Sequence, residues 1–261
     1  MHLCTGLSPS KDQTLETTHA PKNEVRHPAR VVIGLLGAKG CGKDTAAKFL
    51  VDELGYKRAA FADALYQEVA DAFGISVEFL GNRDTKETEL PSLCLDKCKD
   101  LRFGYCVMRH EKKTLKSDPD AWLRPRSPRS ILQLWGTEYR RRGIPGVCPG
   151  KDSYWLDIVA GVIATSPDAS FVITDVRFKN EMQLVEDFGG SSARVRRLEL
   201  EAREAHERAV NGCAAHASET ELLKVVVDRE LFNVEGKPGH LRFGVLAYAR
   251  EMERAATAAQ G

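Results

Sequence analysis

A glycine-rich loop between an apolar segment and an amphipathic segment is the feature that most restricts the fold of this chain. Residues 30–36 read RVVIGLL, and residues 37–45 read GAKGCGKDT. Apolar residues then recur at helical spacing over residues 47–54. A strand, a loop of the form G-x-x-x-x-G-K and a helix, in this order, are the pattern of a phosphate-binding loop. The sequence therefore predicts that this loop holds the phosphates of a nucleoside triphosphate.

Each part of the loop has a physical role in holding an anion. The glycines allow successive backbone N–H groups to point into one concavity, the helix N-terminus adds positive charge, and Lys43 extends an ammonium group. The alternative is a glycine-rich turn with an incidental lysine, which the buried strand and the helical periodicity disfavour. The predicted ATP-binding residues are Gly37, Ala38, Lys39, Gly40, Cys41, Gly42, Lys43, Asp44 and Thr45.

The position after the loop lysine departs from the common motif. Asp44 stands where most such loops have the Ser or Thr that contacts Mg²⁺, and Thr45 follows one place later. This displaced hydroxyl resembles the small-molecule kinases more than the motor or switch NTPases. It leaves open whether the loop itself contacts Mg²⁺.

Length and charge restrict the domain organisation and the partners. With 261 residues, the chain is long enough for one elaborated α/β domain. Lys and Arg number 38 against 37 Asp and Glu, and this balance argues against a long nucleic acid as the main partner. Residues 1–29 are polar and lack apolar periodicity, so we expect a mobile leader before a domain over residues 30–261.

The cysteines indicate a reducing compartment. Seven is an odd number, their spacing matches no secreted disulfide framework, and no apolar segment is long enough for a signal peptide or a membrane span. We therefore expect a cytoplasmic protein, in a host cytoplasm if a phage encodes it. Zinc is conceivable at Cys94, Cys98, Cys106 and His110, but there is no C-x2-C pair, and the interleaved apolar residues favour cysteines packed as small hydrophobic groups.

Later segments predict the rest of a parallel sheet. A second strand is expected over residues 56–62, with Asp63 as the N-cap of the next helix, and another strand over residues 192–200. The run FVITD at residues 171–175 is typical of a strand that is buried on both faces and whose carboxyl end opens into a ligand crevice.

That crevice is where two further residues are expected to act. Asp175 would lie beside the phosphate loop, where a carboxylate can hold Mg²⁺ or orient Lys43, and Arg177 would contact the transferred phosphate. The alternative for Asp175 is a cap on the turn into the following helix, which contains Asn180 and Glu181.

The middle of the chain predicts a substrate-binding region. Residues 81–126 are charged, interrupted by prolines and weakly periodic, as in an inserted subdomain with long loops. Ser127 and Pro128 then read as the N-cap and first residue of a helix through Arg142. At 100° per residue, Arg129, Gln133 and Arg140 form one polar stripe opposite an apolar face.

Arg129 is the member of this stripe that most suggests a ligand. Its charge in the first helical turn opposes the helix dipole unless an anion lies between them. A phosphate group would supply that anion. The alternative is an ordinary solvated basic face.

In chain order, six segments resemble the phage-type deoxynucleoside monophosphate kinases. They are residues 37–45, FAD at 61–63, TKE at 85–87, SPRSILQLWGT at 127–137, TDVRFKNE at 174–181 and HASE at 216–219. The fourth and fifth are more specific than the phosphate loop. The resemblance implies a P-loop NTPase-type α/β fold, a parallel sheet flanked by helices with an inserted, mainly helical acceptor-binding subdomain. It also implies transfer of the γ-phosphoryl group of ATP, with Mg²⁺, to a deoxynucleoside monophosphate.

The resemblance and the polar stripe together give the expected site. We expect catalytic roles for Lys43, Asp175, Arg177 and Arg129, with Asp175 also as the metal ligand. The expected acceptor-binding residues are Lys86, Arg129, Gln133, Thr137, Arg140 and Trp155, the last as an aromatic candidate for stacking on the base. The expected partners are small nucleotides, with no membrane, and a homodimer is compatible with the sequence.

Two other functions remain open at this stage. Another P-loop small-molecule kinase, such as a dephospho-coenzyme A kinase, would share the loop and the sheet. A nucleotide- or zinc-dependent nucleic-acid-binding protein would use the basic helix on a phosphate backbone, which the near-zero net charge disfavours. His216 receives no catalytic role, and Ser218 with Glu221 fits a helix-capping box.

Overall fold

A five-stranded, all-parallel β-sheet forms the centre of this computed structural model, which describes residues 30–114, 116–146, 148–211 and 225–259. The predictions for the leader and for Ser218 with Glu221 lie outside these ranges. The strands are β1 Val32–Leu36, β2 Lys57–Ala59, β3 Gly143–Ile144, β4 Cys148–Pro149, β5 Phe171–Ile173, β6 Ser191–Arg196 and β7 Arg229–Phe232. Strands β3 and β4 form a separate antiparallel pair.

At least one helix follows each strand of the five-stranded sheet. They are α1 Lys43–Leu54, α2 Phe61–Phe73, α3 Val77–Gly81, α4 Leu101–His110, α5 Pro128–Gln133, α6 Tyr154–Ala164, α7 Lys179–Asp187, α8 Leu198–Asn211 and α9 Pro238–Ala259. Short 3₁₀ turns occupy Pro91–Leu93, Leu95–Lys97 and Pro119–Trp122. The predicted α/β class with a parallel sheet flanked by helices is confirmed. Among the described residues, every helix is too short or too polar to span a lipid bilayer.

The strand order β2-β5-β1-β6-β7 decides which loops lie together. Strand β1 pairs in parallel with β5, with Gly34 opposite Ile173, and with β6, with Ile33 opposite Ser191. Because parallel strands bring their carboxyl ends to one edge of the sheet, the loops after β1 and β5 are neighbours. The fold therefore places residues 37–42 beside residues 174–178.

The two faces of the sheet carry two apolar cores. Alternate residues of β1 point to opposite faces, as a strand requires. Ile33 and Leu35 pack with helices α1 and α9, whereas Val32 and Leu36 pack with α2, α4, α6 and α7. The second core also contains Leu93, Leu95 and Phe103, all fully buried members of the inserted region. Residues 81–126 thus share a core with the sheet, and their role in substrate binding remains a prediction.

The helix that begins after Ser127 changes its winding part-way. Ser127 caps it as predicted, since its Oγ accepts a hydrogen bond from Ser130 N at 3.2 Å. After Gln133 the chain continues as a π-helix over Leu134–Arg142. Because π-turns are closed by i→i+5 bonds, the side chains advance by a smaller angle than in an α-helix. The predicted stripe based on 100° per residue therefore fails after Gln133.

Candidate active site

The loop after β1 adopts a conformation that requires glycine. Gly42, the N-cap of α1, has φ of 111°, in the left-handed region. Gly37 has φ of 143°, and a Cβ there would lie 2.4 Å from Val195 O and 2.7 Å from Cys41 Sγ. The loop therefore lies directly against the end of β6. Binding of an anion by the N–H groups of this loop and of the first turn of α1 remains a prediction.

Lys43 and Asn233 fix the inner edge of this loop. Lys43 Nζ donates to Gly37 O at 2.7 Å and to Ala38 O at 2.8 Å, which holds the ammonium group against the loop backbone. Asn233, just after β7, donates from Nδ2 to Cys41 O at 2.9 Å. Burial raises the pKa of the Cys41 thiol, against the nearby Lys43 charge, so the loop carries no thiolate that would repel an anion. The sequence contained no signal for Asn233.

Asp175 has a structural role that the sequence did not predict. Its Oδ1 accepts from Phe61 N and its Oδ2 from Ala62 N, both at 2.9 Å. The predicted N-cap, Asp63, instead lies in the first turn of α2 and pairs with Arg58 at 2.8 Å. Helix α2 starts two residues before Asp63 because the Asp175 carboxylate, from the end of β5, satisfies its first N–H groups. Thus Asp175 caps α2 rather than the turn into α7.

Burial governs the protonation of Asp175. Its removal from water raises the pKa of the carboxyl, and the neighbouring Asp63 acts in the same direction. The two N–H bonds and the Arg177 charge oppose this shift. These donors and this cation therefore limit the rise, and burial remains the larger effect.

A cavity of about 340 Å³ opens beside Asp175 and brings most of the predicted acceptor residues together. This volume lies at the lower end of the range for small-ligand pockets. Its walls come from α2, from the segment around Lys86, from α5 with the π-helix, and from the start of α7. The predicted residues among its lining are Lys86, Arg129, Gln133, Thr137, Trp155, Asp175 and Arg177.

Backbone and side-chain hydrogen bonds hold Lys86 and Arg129 in the cavity wall. Arg129 N donates to Lys86 O at 3.0 Å, which attaches the TKE segment to the start of α5. Lys86 Nζ donates to Tyr66 Oη at 2.7 Å and lies over its ring. The Arg129 guanidinium is paired with the exposed Glu87 carboxylate. That carboxylate supplies a negative charge near the guanidinium at the helix start, where the sequence led us to expect an anion.

Arg140 does not lie with the other predicted acceptor residues. Its Nε donates to Glu68 Oε2 at 2.7 Å, and its guanidinium lies 4.7 Å from the Tyr139 ring centroid and 5.0 Å from that of Tyr154. Glu68 Oε2 also accepts from Trp135 Nε1 at 2.8 Å. The π-winding turns Arg140 away from Gln133 and into this cluster. Its expected contact with the acceptor is therefore not supported.

Trp155 lines the cavity as part of the packed core. It is only 3% exposed, and its Nε1 donates to Gly136 O at 3.2 Å. The indole is thus fixed beneath the π-helix. Stacking of Trp155 on a base remains a prediction.

Sequence reasoning missed two charged residues of the cavity, Arg141 and Glu181. Glu181 is 2% exposed, and its Oε2 accepts from Arg177 N at 2.7 Å and from Phe178 N at 3.1 Å. Burial, with the Asp175 charge, raises the pKa of Glu181 to about 7. The signal was available for Glu181, because an acidic residue three places after a helix N-cap often bonds back to its N–H. Arg141 had no such signal, since its position depends on the π-winding.

Comparison with known proteins identifies the family. No family model matches the chain. A putative deoxynucleotide monophosphate kinase of Acanthamoeba polyphaga mimivirus is 29% identical over 182 residues, which cover 67% of this chain and 79% of the relative. The deoxynucleoside-5′-monophosphate kinase of Escherichia phage T5 is 30% identical over 186 residues, which cover 60% of this chain and 72% of the relative. The chain belongs to the deoxynucleoside monophosphate kinase family.

The solved structures that align with this chain do so only loosely. A sugar kinase from Janibacter sp. HTCC2649 aligns at 14% identity and a TM-score of 0.38 over 88% of this chain and 98% of its own. A dephospho-CoA kinase from Campylobacter jejuni aligns at 14% identity and a TM-score of 0.39 over 86% of this chain and 98% of its own. Overlaps this loose do not bear on the substrate of this deoxynucleoside monophosphate kinase.

Cys94, Cys98 and Cys106, the cysteines of the possible zinc site, are buried. Cys94 Sγ donates to Leu123 O at 2.9 Å, and Cys98 Sγ lies 3.5 Å from Asp100 O. Burial raises the pKa of Cys98 to about 11 and that of Cys106 to about 12, which disfavours the thiolate that zinc needs. His110 faces Glu138 at 3.4 Å. Within the described ranges, no group of three or more His, Cys, Asp or Glu is arranged to hold a metal ion.

Proposed function

We propose that this kinase transfers the γ-phosphoryl group of ATP to the 5′-phosphate of a deoxynucleoside monophosphate, giving the diphosphate for DNA precursor synthesis. The observation that carries the proposal is that the glycine-rich loop and a cavity lined by basic residues follow two adjacent, parallel strands. The phosphate loop follows β1, and the basic cavity lies at the end of the adjacent, parallel β5. Names of the two relatives support the choice of acceptor.

The donor site is the loop of residues 37–45. Its backbone N–H groups and the start of α1 would hold the polyphosphate of ATP. Lys43, whose Nζ now contacts Gly37 O and Ala38 O, would bring its charge to the outer phosphates. The side chains of Asp44 and Thr45 are exposed in the first turn of α1 and therefore accessible to a ligand.

The residues around the loop fit a magnesium ion. Mg²⁺ prefers oxygen ligands and is usually held by one or two carboxylates together with substrate phosphates. Asp175 would hold it, directly or through water, with the lone pairs that Phe61 N and Ala62 N leave, and Asp44 and Thr45 offer further oxygens. When bound, the ion supplies neutralisation of charge on the β- and γ-phosphate oxygens.

The acceptor site is the cavity beside Asp175. Lys86, Arg129 and Arg177 would neutralise its 5′-phosphate, while Gln133 and Thr137 offer hydrogen bonds along the helix. The acceptor phosphate is already an anionic nucleophile, so the protein needs neither a strong base nor a covalent intermediate. Catalysis then consists of aligning the two anions and offsetting their mutual repulsion.

A coupled assay of ADP release tests this proposal. ATP would be offered with each of the four deoxynucleoside monophosphates, the ribonucleoside monophosphates and dephospho-coenzyme A. We expect ADP release that depends on at least one deoxynucleoside monophosphate. Release with dephospho-coenzyme A alone, or no acceptor-dependent release in the whole series, would refute it.

The relatives and the cysteines indicate the cellular compartment. We propose a cytoplasmic enzyme, in a host cytoplasm if a virus encodes it, because both relatives are viral and the described cysteines are free thiols. Its partners are small nucleotides. A homodimer remains a prediction from the sequence.

A further inference from the structure

Three consecutive arginines of the π-helix have three different environments. Arg140 is held by Glu68 at 2.7 Å in the aromatic cluster. Arg142 is 68% exposed and pairs with Glu138, four residues earlier, at 3.0 Å. Arg141 lines the acceptor cavity and is 21% exposed. The helix therefore presents one guanidinium of the three to the cavity.

Two contacts hold Arg141 at a particular end of the cavity. Its Nη2 lies 3.5 Å from Glu181 Oε1, and its guanidinium carbon lies 5.3 Å from the centroid of the Phe178 ring. The other oxygen of Glu181 accepts the N–H groups of Arg177 and Phe178. Glu181 therefore ties the Arg141 side chain to the segment after β5. This segment also carries Asp175 and Arg177, which line the same cavity.

The contact with Glu181 leaves Arg141 able to bind an anion. A guanidinium group has five N–H donors, and a distance of 3.5 Å is long for a charge-assisted hydrogen bond, which is usually about 2.7–2.9 Å. Glu181 already accepts two backbone bonds, at 2.7 and 3.1 Å, and is nearly fully buried. A phosphate with several strong acceptor oxygens can therefore share the guanidinium without displacing Glu181.

We infer that Arg141 binds the 5′-phosphate of the acceptor, with Glu181 and Phe178 orienting its guanidinium group. The inference rests on the proposed function, because it names a further residue of the same acceptor site. It adds Arg141 to the basic residues proposed to contact the phosphate, whereas the sequence assigned Arg140 to the acceptor site. A purely structural Arg141 would instead serve only to neutralise Glu181.

Binding calorimetry with matched ligands and variants distinguishes these roles. The ligands are the four deoxynucleoside monophosphates and, for the tightest of them, the same deoxynucleoside without its phosphate. The variants are Arg141→Gln, Arg141→Lys and, as the matched control, Arg142→Gln on the adjacent exposed position. Urea unfolding of each variant reports whether the fold is retained.

We expect Arg141→Gln to weaken binding of the monophosphate roughly 10-fold or more, the usual effect of losing a hydrogen bond to a charged group. Binding of the phosphate-free deoxynucleoside should stay within about 2-fold, and Arg142→Gln should bind both ligands as wild type does. Arg141→Lys should be intermediate, since an ammonium keeps the charge but not the planar fork. In turnover, KM for the acceptor should rise more than KM for ATP.

Other outcomes overturn the inference, and they separate it from the proposed function. Unchanged monophosphate binding in Arg141→Gln, or equal weakening of both ligands, assigns Arg141 a structural role only. If Arg141→Gln does not fold, unchanged monophosphate binding in Arg141→Lys has the same consequence. If wild type turns over the acceptor and the Arg141 variants do so with an unchanged KM for the acceptor, the inference alone fails. If wild type binds no deoxynucleoside monophosphate, both fail.

Discussion

Lys43 is the residue on which the proposed chemistry depends most directly. Its ammonium group is held within the phosphate loop by Gly37 O and Ala38 O. We predict that Lys43→Ala lowers kcat by about 10²–10³, the usual effect of removing one preorganised group that stabilises transition-state charge. Steady-state kinetics with saturating ATP measures this change.

The matched control for this variant lies five residues further along the same helix. Lys48 is 73% exposed on its side chain and pairs with Asp52 at 2.7 Å, away from the loop. Lys48→Ala should therefore keep the wild-type rate. Turnover that survives Lys43→Ala would mean that the reacting centre lies elsewhere.

Glu181 gives a prediction about pH. Burial raises the pKa of its carboxyl to about 7, above the ordinary value of 4.5. A buried acid with a raised pKa stabilises the fold most at pH below about 4.5, and this contribution is lost as pH rises towards 7. The free energy of unfolding of wild type, relative to Glu181→Gln, should therefore fall between pH 5 and pH 8.

Urea unfolding at several pH values measures this difference. Asp175 also has a raised pKa, and its charge contributes to the raised pKa of Glu181, so the comparison reports the pH dependence that this pair of carboxyls loses with Glu181. Glu186→Gln, at an exposed position on the same helix, is the control and should follow wild type. A relative stability that is flat or rises over this range would show that Glu181 is ionised at low pH.

Sequence motifs predicted the positions of some cavity residues and not of others. Lys86 and Arg129 were predictable as cavity residues because they belong to segments that resemble a known family. Arg141 was not predictable, since its place depends on helix winding, and winding is decided by packing against residues distant in sequence. Glu181 was within reach of capping rules but was treated as part of an ordinary helix.

At the scale of elements, the start of α2 depends on a residue more than a hundred positions away. Asp175 accepts both of the first N–H groups of this helix, and Asp63 pairs with Arg58 instead. We predict that Asp175→Asn destabilises the protein by about 1–2 kcal/mol, because an amide offers one acceptor where two N–H groups need two. Urea unfolding measures the loss.

The variant Asp63→Asn distinguishes capping of α2 by Asp175 from the capping by Asp63 that the sequence predicts. If Asp63 were the cap, its replacement would be the damaging one of the two. The structure predicts a change of at most about 0.5 kcal/mol, typical of an exposed ion pair. A larger loss for Asp63→Asn than for Asp175→Asn would contradict the capping role of Asp175.

The helix of residues 128–142 shows why periodicity predicts one face better than the other. Ile131, Trp135 and Tyr139 are buried as expected, because the apolar face has many contacts that tolerate a change of winding. The polar stripe has few such contacts, so the π-turns over Leu134–Arg142 redistribute it. Arg140 joins Glu68, and Arg141 takes the cavity.

At the scale of the whole molecule, the sheet order explains why two separate motifs act at one place. The loop motif and the TDVRF segment lie more than a hundred residues apart in sequence. They become neighbours because β1 and β5 pair in parallel, so that both carboxyl ends open at one edge. The alternation of strands and helices predicted this class of fold.

The inserted region was less predictable. Its prolines and charges favour long loops, yet Leu93, Leu95 and Phe103 are buried in the core that faces α2 and α6. Such contacts link residues distant in sequence and do not require a regular spacing of apolar residues along the segment. Its acceptor-binding role therefore stays a prediction, supported by Lys86 in the cavity.

The most direct test of the central claim follows the phosphoryl group itself. The wild-type protein is mixed with Mg²⁺, ATP labelled at the γ-phosphate and each deoxynucleoside monophosphate, and the products are separated. We predict that the label moves from ATP to a deoxynucleoside diphosphate. Label that remains in ATP with every acceptor, or that appears only as inorganic phosphate, would contradict the account.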